Sequence, residues 1–292
     1  WLVDPANPLT ARVFANRLWH YQFGQGLVAT PNDFGVNGAA PSHPQLLDWL
    51  ANELVDGSWS HKRVQRLVVS SATYRQSAAI GDLGLGIGDL SARNPKSPIS
   101  NPKLTDPANR LLWHYPRRRL SAEQLRDALL AVSGRMNTKF GGESVMPPVP
   151  KELIELLYDP AQWQVTPDAR EHDRRSVYLV AKRNLKLPFM EVFDQPDLQT
   201  SCARRISSTH PPQSLELLNG ELSNRLAADF AARLRSEAGD DPTKQIERAY
   251  RLAAGRPPTE RERQIALEFL REQPLSEFAL AMFNLNAFLY VD

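Results

Sequence analysis

The sequence predicts a mainly α-helical protein of two lobes with at most a minor β element. Three observations carry this. Apolar residues recur at helical spacing through most of the chain, several of these runs open on a capping signal or close on a glycine, and a Gly-, Ser- and Pro-rich stretch without period separates the two halves. With 292 residues and 42% hydrophobic composition, the chain has ample material for a buried core, in one large domain or two lobes.

The first lobe spans residues 1–76. Asn7 is an N-cap with Pro8 at the first helical position, and the run Leu9, Val13, Leu18, Trp19 and Tyr21 stays helical until Gly24 and Gly26. Residues 30–40 carry Pro, Asn, Asp and Gly and read as an ordered loop. Ser42 with Gln45 forms a capping box for a second helix, whose Leu46, Leu47, Leu50 and Leu54 face the core and which Gly57 ends. Ser60 opens a third helix with Val64, Leu67, Val68 and Ser71 on one side and Tyr74 a turn beyond. Three helices joined by short connections make a lobe.

Residues 77–106 are a linker or loop, since GDLGLGIGDLSARNPKSPISNPKLTD sustains no period. Its GLGIG lacks the spacing, leading strand and following helix of a dinucleotide fingerprint. The second lobe, residues 107–292, resumes with helical signals at 109–114. A helix capped by Ser121 and Gln124 then carries Leu125, Leu129, Leu130 and Val132 to Gly134. Residues 135–150 are a loop and 151–158 a short helix. Residues 176–182 alternate as a strand would, although one strand cannot stand alone, so the segment 174–183 is either a strand or an extended arm laid across helices. From Pro211 and Pro212 a helix bears Leu215, Leu218, Leu222, Leu226 and Phe230; residues 246–254 form the next, closed by Gly255. Thr259 and Glu262 cap another, with Ile265, Leu267, Phe269 and Leu270 behind them, and residues 276–289 form a final buried element.

Composition excludes several classes of function. Lys and Arg number 35 against 33 Asp and Glu, a formal charge of +2, which lacks the global field of a nucleic-acid binder. The single Cys202 excludes an intrachain disulfide, a c-type haem attachment sequence and a structural zinc site, and reads as a small packed residue. No apolar run reaches the roughly 18 residues of a membrane span. The chain starts at Trp1 with neither initiator Met nor signal peptide, as expected of a piece cut from something longer.

Ordered blocks along the chain, NPLTARVFANRLWHYQFGQGLV, TPNDFG, HPQLLDWLANEL, WSHKRVQRLVVSSATYRQS, RRRLSAEQLRDALLAVSG, RRSVYLVAKRNLKLPFMEVFDQPD and LYVD, resemble the planctomycete domain-of-unknown-function family DUF1553. The resemblance covers nearly the whole chain. Two departures lie in or beside loops: the Gly-rich stretch near 81–100 is longer than the family leads one to expect, and His210-Pro211 stands in place of a Thr-Pro pair. The resemblance implies a setting in the periplasm or cell envelope, as the closing domain of exported proteins that also carry a c-type cytochrome domain. It thus implies haem in a separate domain and no cofactor in this chain. It assigns no chemistry.

Polar residues set into apolar runs are the candidate sites, because buried polar groups must find partners. Asn16, Arg17 and His20 interrupt the first helix and are expected to converge on Tyr74, Arg75 and Gln76. Arg126 and Asp127 are expected to tie helices together, Asp127 to an arginine of the triplet 117–119. Basic pairs at Arg174-Arg175, Lys182-Arg183 and Arg204-Arg205, with Asp194 in a Pro-bounded turn, mark the second half. Arg17, Arg75, Arg119, Arg126, Arg175, Lys182, Arg183, Asp194 and Arg205 are therefore the candidate binding residues. They would serve a binding or scaffolding module that docks a partner domain, such as the cytochrome domain of the same polypeptide, or an anionic polysaccharide. The competing reading is a polysaccharide hydrolase or lyase with its acid and base drawn from His43, Asp48, Asp194 or Glu191. Glu171, His172 and Asp173 have mixed metal-ligand character but no metal-site spacing, and no GxSxG elbow supports a Ser-His-Asp arrangement.

Overall fold

The computed structural model describes residues 1–2, 4, 6–78 and 106–291. It is mainly helical, and the chain divides into two compact units, residues 1–118 and residues 119–291. The Gly-rich stretch with its GLGIG lies outside the described residues.

In the first unit, helix α1 (Pro8–Phe23) begins where Asn7 accepts a hydrogen bond from the Leu9 amide and ends at the left-handed Gly24. Helix α2 (Pro44–Asp56) and helix α3 (His61–Ser70) pack on it and on each other. Leu47, Leu50 and Leu54 of α2 and Val64 and Val68 of α3 are buried against Ala15, Leu18 and Trp19 of α1, while Leu67 is exposed. Arg12 pairs with Asp48 at 2.6 Å and Arg63 with Glu53 at 2.8 Å, tying α1 and α3 to α2. Phe23 packs on Trp19, Tyr74 and Tyr115, and the Tyr115 hydroxyl donates to the Gln22 carbonyl.

Asn16 is fully buried, and its role is to hold the loop that follows α1. Its Nδ2 donates to the Val28 carbonyl at 3.1 Å and its Oδ1 accepts from the Val28 amide at 2.8 Å. Gly26 permits this approach. A Cβ there would sit 2.6 Å from both Asn16 side-chain polar atoms and 2.7 Å from the Val28 carbonyl oxygen.

The expected capping box at Ser42 and Gln45 does not form. Pro44 fixes the first helical position, His43 takes the N-cap place without a side-chain capping bond, and Ser42 Oγ lies 2.9 Å from His43 Nδ1. At the other end of α2, Gly57 is right-handed, and it is Ser58 that turns left-handed at φ 54°, followed by Trp59 at φ 61°. The Trp59 amide reaches the Leu54 carbonyl and the Ser58 amide that of Val55, the double closure of a Schellman motif.

In the second unit, helix α4 (Ala122–Ser133) carries the complete Ser121–Gln124 capping box and stops at the left-handed Gly134. Short helices α5 (Lys151–Glu155) and α6 (Pro188–Val192) precede α7 (Pro211–Asn219), α8 (Glu221–Ala238), α9 (Pro242–Ala253), α10 (Glu260–Glu272), α11 (Leu275–Phe283) and α12 (Asn286–Leu289). Helix α8 is the hub. Its Ser223, Leu226, Ala227, Phe230, Ala231 and Leu234 form one buried stripe that α4, α7, α9 and α11 cover. Phe230 stacks on Phe283, which packs on Phe288. Among the described residues the strands are β1 (Arg118–Arg119) and β2 (Tyr290–Val291), paired in a two-stranded ladder.

Three expectations for residues 107–292 are corrected. Residues 109–114 are a turn, because the Asp106 carboxylate takes the Arg110 and Leu111 amides and Asn109 and Leu112 adopt positive φ. The run from Pro211 is two helices broken at the extended Gly220. The break changes the phase, so Gln213 and Leu217 are buried where Leu215 and Leu218 were expected, and those two are exposed. The alternating segment 176–182 is no strand either. It opens as a 3₁₀ turn (Ser176–Tyr178) and meets only single-residue bridges, Val145 with Leu179 and Lys182 with Leu185, since no neighbour offers a ladder.

Asn16→Leu leaves both Val28 backbone groups buried without partners and Gly26→Ala collides with Asn16, so each is expected to cost about 3 kcal/mol in urea unfolding of the intact chain. Ser58→Gly relieves a left-handed non-glycine residue and is expected to stabilise by about 0.5–1 kcal/mol in the same titration.

Candidate functional site

The polar residues of the second unit form a connected brace around an irregular segment, residues 166–180. Helix α4 presents Arg126 inward with only 7% of its side chain exposed. Its guanidinium donates to the Arg174 carbonyl at 2.9 Å, the His172 carbonyl at 2.5 Å and Ser176 Oγ at 3.3 Å. Burial pulls the acidity constant of Arg126 down from its ordinary value, opposed by the negative charges of Asp127 and Asp173. Arginine remains charged through such a shift. Asp127 accepts from the Ser176 amide at 2.7 Å and lies 3.7 Å from Arg175. It does not reach the triplet 117–119, because α4 turns it toward the 3₁₀ segment.

Arg174 is the most enclosed cation of the brace, 1% exposed. It donates to the backbone carbonyls of Lys139, Gly141 and Glu143, pairs with Glu171 at 3.3 Å and sits over the Tyr178 ring with its guanidinium carbon 3.7 Å from the ring centre. Asp173, also buried, takes Arg225 of α8 at 2.9 Å and Arg135 at 3.4 Å. His172 Nε2 donates to the Thr166 carbonyl at 2.7 Å. Glu171, His172 and Asp173 thus point to three different partners. Among the described residues no three His, Cys, Asp or Glu side chains gather as a metal site would require.

A second node centres on Asp194. This residue is the left-handed position, φ 63°, of another Schellman closure after α6, with Asp194 and Gln195 amides donating to the Glu191 and Met190 carbonyls. Its carboxylate accepts from Arg119 at 2.5 Å, from the Ser208 hydroxyl at 2.6 Å, from the Ser208 amide at 2.9 Å and from Gln213 at 3.3 Å. Burial pushes its acidity constant up, but the Ser208 and Arg119 hydrogen bonds outweigh it and hold the carboxyl below its ordinary range. Arg119, 6% exposed at its side chain, also donates to the Ser208 carbonyl at 2.7 Å.

Apart from Arg175, which touches the brace through Asp127 at 3.7 Å, the other candidates do not join these nodes. Arg17 and Arg75 are exposed, Arg17 makes no hydrogen bond or ion pair with a described residue, and neither approaches Asn16. The expected convergence on Tyr74 is replaced by an aromatic contact with Phe23 and Tyr115, since consecutive residues on α1 face different ways. Arg175 keeps 63% of its side chain exposed, Arg183 is exposed, and Lys182 donates to the Gln162 carbonyl at 2.9 Å. Arg205 pairs with Glu123 at 2.5 Å. Cys202 is exposed rather than packed. Asp48 is held acidic by its hydrogen bond from Arg12, while Glu191 is exposed with Lys186 at 3.9 Å.

Two clefts remain. One in the second unit, of about 570 Å³, is lined by Arg135, Lys139 and Arg170 and by Asp168, Glu171 and Asp173. It is self-neutral: Lys139 meets Glu171 at 3.0 Å, and Arg170 meets Asp168 at 2.9 Å, holding that carboxyl at about 2. The other, of about 740 Å³ in the first unit, has Leu9, Val13, Phe14 and Arg17 along α1, with Phe34 and Trp59 among its walls. Both volumes fall in the range of ligand clefts.

The family model described as PSD1, a protein of unknown function (DUF1553), matches residues 1–270. The chain belongs to this family. No curated protein and no solved structure matches it. The brace residues of this DUF1553 chain that sequence reasoning passed over are Arg225, Arg135 and Ser208. Arg225 lay within a long amphipathic helix, where a charge ordinarily reads as solvated. Trp59 of the DUF1553 cleft was hidden because nothing in a Gly-Ser-Trp-Ser turn announces two left-handed residues in succession.

Asp194→Asn removes the charge opposite the nearly buried Arg119 and is expected to cost about 3 kcal/mol at neutral pH. A carboxyl with a lowered folded value contributes stability above its unfolded pKa of about 3.9, and loses it as pH falls through the folded value. Urea titrations should therefore show a large wild-type advantage at about pH 7 that shrinks toward about pH 3.

Proposed function

We propose that the chain is a non-catalytic binding or scaffolding module of an exported, cytochrome-associated protein, operating in the periplasm or cell envelope and docking a neighbouring domain. The observation that carries this reading is the occupation of its charged groups. Arg119, Arg126, Arg174, Asp173 and Asp194 all hold other parts of the same chain in place. The carboxylates suited to acid and base work follow suit, with Asp194 surrounded by donors and Asp48 paired with Arg12. A general acid or base needs a shifted affinity for protons near working pH and an opening to substrate. Both carboxyls instead sit below their ordinary range.

Docking then falls to surfaces the brace leaves open. The apolar cleft of the first unit is one; haem belongs to a separate domain of the polypeptide, consistent with the resemblance. A second reading, an anionic polysaccharide held by exposed Arg175 and Arg183 beside Lys182, is favoured by the exposure of those two arginines. Electrostatic binding of that kind weakens steeply with salt, whereas apolar docking does not.

The test mixes the chain with the separately produced cytochrome domain and follows complex formation by sedimentation, with haem absorbance as the tracer. Saturable, salt-tolerant binding is expected, with no release of reducing ends or unsaturated products from a panel of acidic and neutral polysaccharides. Retention only on sulfated glycan, lost in modest salt, would favour the second reading. Product release abolished by Asp194→Asn would replace both with an enzyme.

A further inference from the structure

The apolar cleft in the first unit has a floor that a simple surface helix would not provide. Helix α1 buries Ala11, Ala15, Leu18, Trp19 and Phe23 on its inner side, yet its outer side carries Leu9, Val13 and Phe14, with Leu9 37% and Phe14 36% exposed. A surface helix ordinarily turns polar residues to that side. The wall opposite is equally unusual. Trp59 stands 46% exposed beside the cleft at the second of two successive left-handed residues, a conformation unfavourable for a bulky side chain that persists only where surrounding bonds enforce it.

The charge of the cleft points to its occupant. Among the described residues of its lining Arg17 is the one charged side chain, and it makes no ion pair or hydrogen bond with a described residue. Asp33, which lies between the lining residues Asn32 and Phe34, forms no ion pair with Arg17, and its Oδ1 accepts from the Gly35 amide at 2.8 Å. Polar side chains of the lining are otherwise Thr10 and Asn32, and the Thr10 hydroxyl already donates to the Leu2 carbonyl at 2.9 Å. A saccharide would bury many hydroxyls here without partners, at a cost for each. A bilayer would gain little from a single arginine and would meet a concave surface.

We infer that this cleft receives a peptide segment with an apolar face and one carboxylate set over Arg17. The inference rests on the binding-module reading and deepens it by naming the partner's chemistry. The apolar side chains of the segment would lie against Leu9, Phe14, Phe34 and Trp59, giving affinity, and the carboxylate would take the Arg17 guanidinium, giving register and orientation.

The experiment selects twelve-residue peptides from a random display library on the intact protein, then measures resynthesised peptides by fluorescence anisotropy against wild type, Arg17→Glu and Phe14→Ser. Recovered peptides are expected to combine two or more large apolar residues with an Asp or Glu. Replacing that acid by its amide should weaken binding about tenfold, as a charge-assisted hydrogen bond implies. Arg17→Glu, at an exposed position that leaves the fold intact by circular dichroism, should reverse the preference in favour of a Lys-bearing peptide. No enrichment, enrichment without acids, or equal binding by Arg17→Glu would overturn the inference. So would Arg17-dependent self-association in sedimentation, or capture of phosphatidylcholine vesicles in place of peptides. Cytochrome-domain binding that survives both substitutions would sink the cleft assignment while leaving the module reading standing.

Discussion

The irregular segment between residues 166 and 180 stays in place because two buried guanidinium groups satisfy backbone carbonyls that no helix or ladder satisfies. Its 3₁₀ turns and single bridges leave His172 and Arg174 carbonyls facing the core, and Arg126 donates to both. Arg174 then does the same for carbonyls of the 139–143 loop. An unpaired carbonyl in such a place costs as much as a lost hydrogen bond, and a buried cation without acceptors costs more. Each defect cancels the other. Lysine would not substitute, since a single ammonium cannot span several fixed carbonyls as a planar fork of donors does.

That arrangement also explains which parts of the fold were legible in the sequence. Helix ends at Asn7, Ser60, Ser121, Thr259, Gly24 and Gly134 depend on residues within one turn, and the structure has them where capping chemistry puts them. The errors occur where a distant partner decides. The alternation of 176–182 is real, but a strand needs a neighbour, and the Ser176 amide goes to Asp127 instead. The capping signal of Ser42 is genuine too, yet the fixed φ of Pro44 moves the start of α2 beyond it.

The candidate residues divide along the same line. That Arg126 and Asp127 tie elements together could be read from their place in an apolar run, but which elements they join could not. Arg174 and Arg175 are neighbours of the same type, and one is the most enclosed cation of the brace while the other keeps most of its side chain in solvent. Nothing local distinguishes them; only the position of Tyr178 and the 139–143 loop does. Likewise Asn16 and Arg17 looked like one polar pair, although a step of 100° around a helix sends adjacent residues to different surroundings.

That last separation links stability to docking in the first unit. Asn16 turns inward and fixes Val28, and Leu27 beside it accepts from the Ser42 amide at 2.9 Å, so both ends of the 28–42 loop are anchored to the helical core. Within the loop the Thr30 hydroxyl donates to the Asp33 carbonyl and accepts from the Ala39 amide, which sets the stretch that carries Phe34. Arg17, one residue further along the same helix, faces the cleft that Phe34 helps to wall. The wall's position is therefore determined by the buried amide of Asn16, and a surface that binds by apolar contact requires such a wall in place before its partner arrives, because ordering it on binding would consume the affinity it provides.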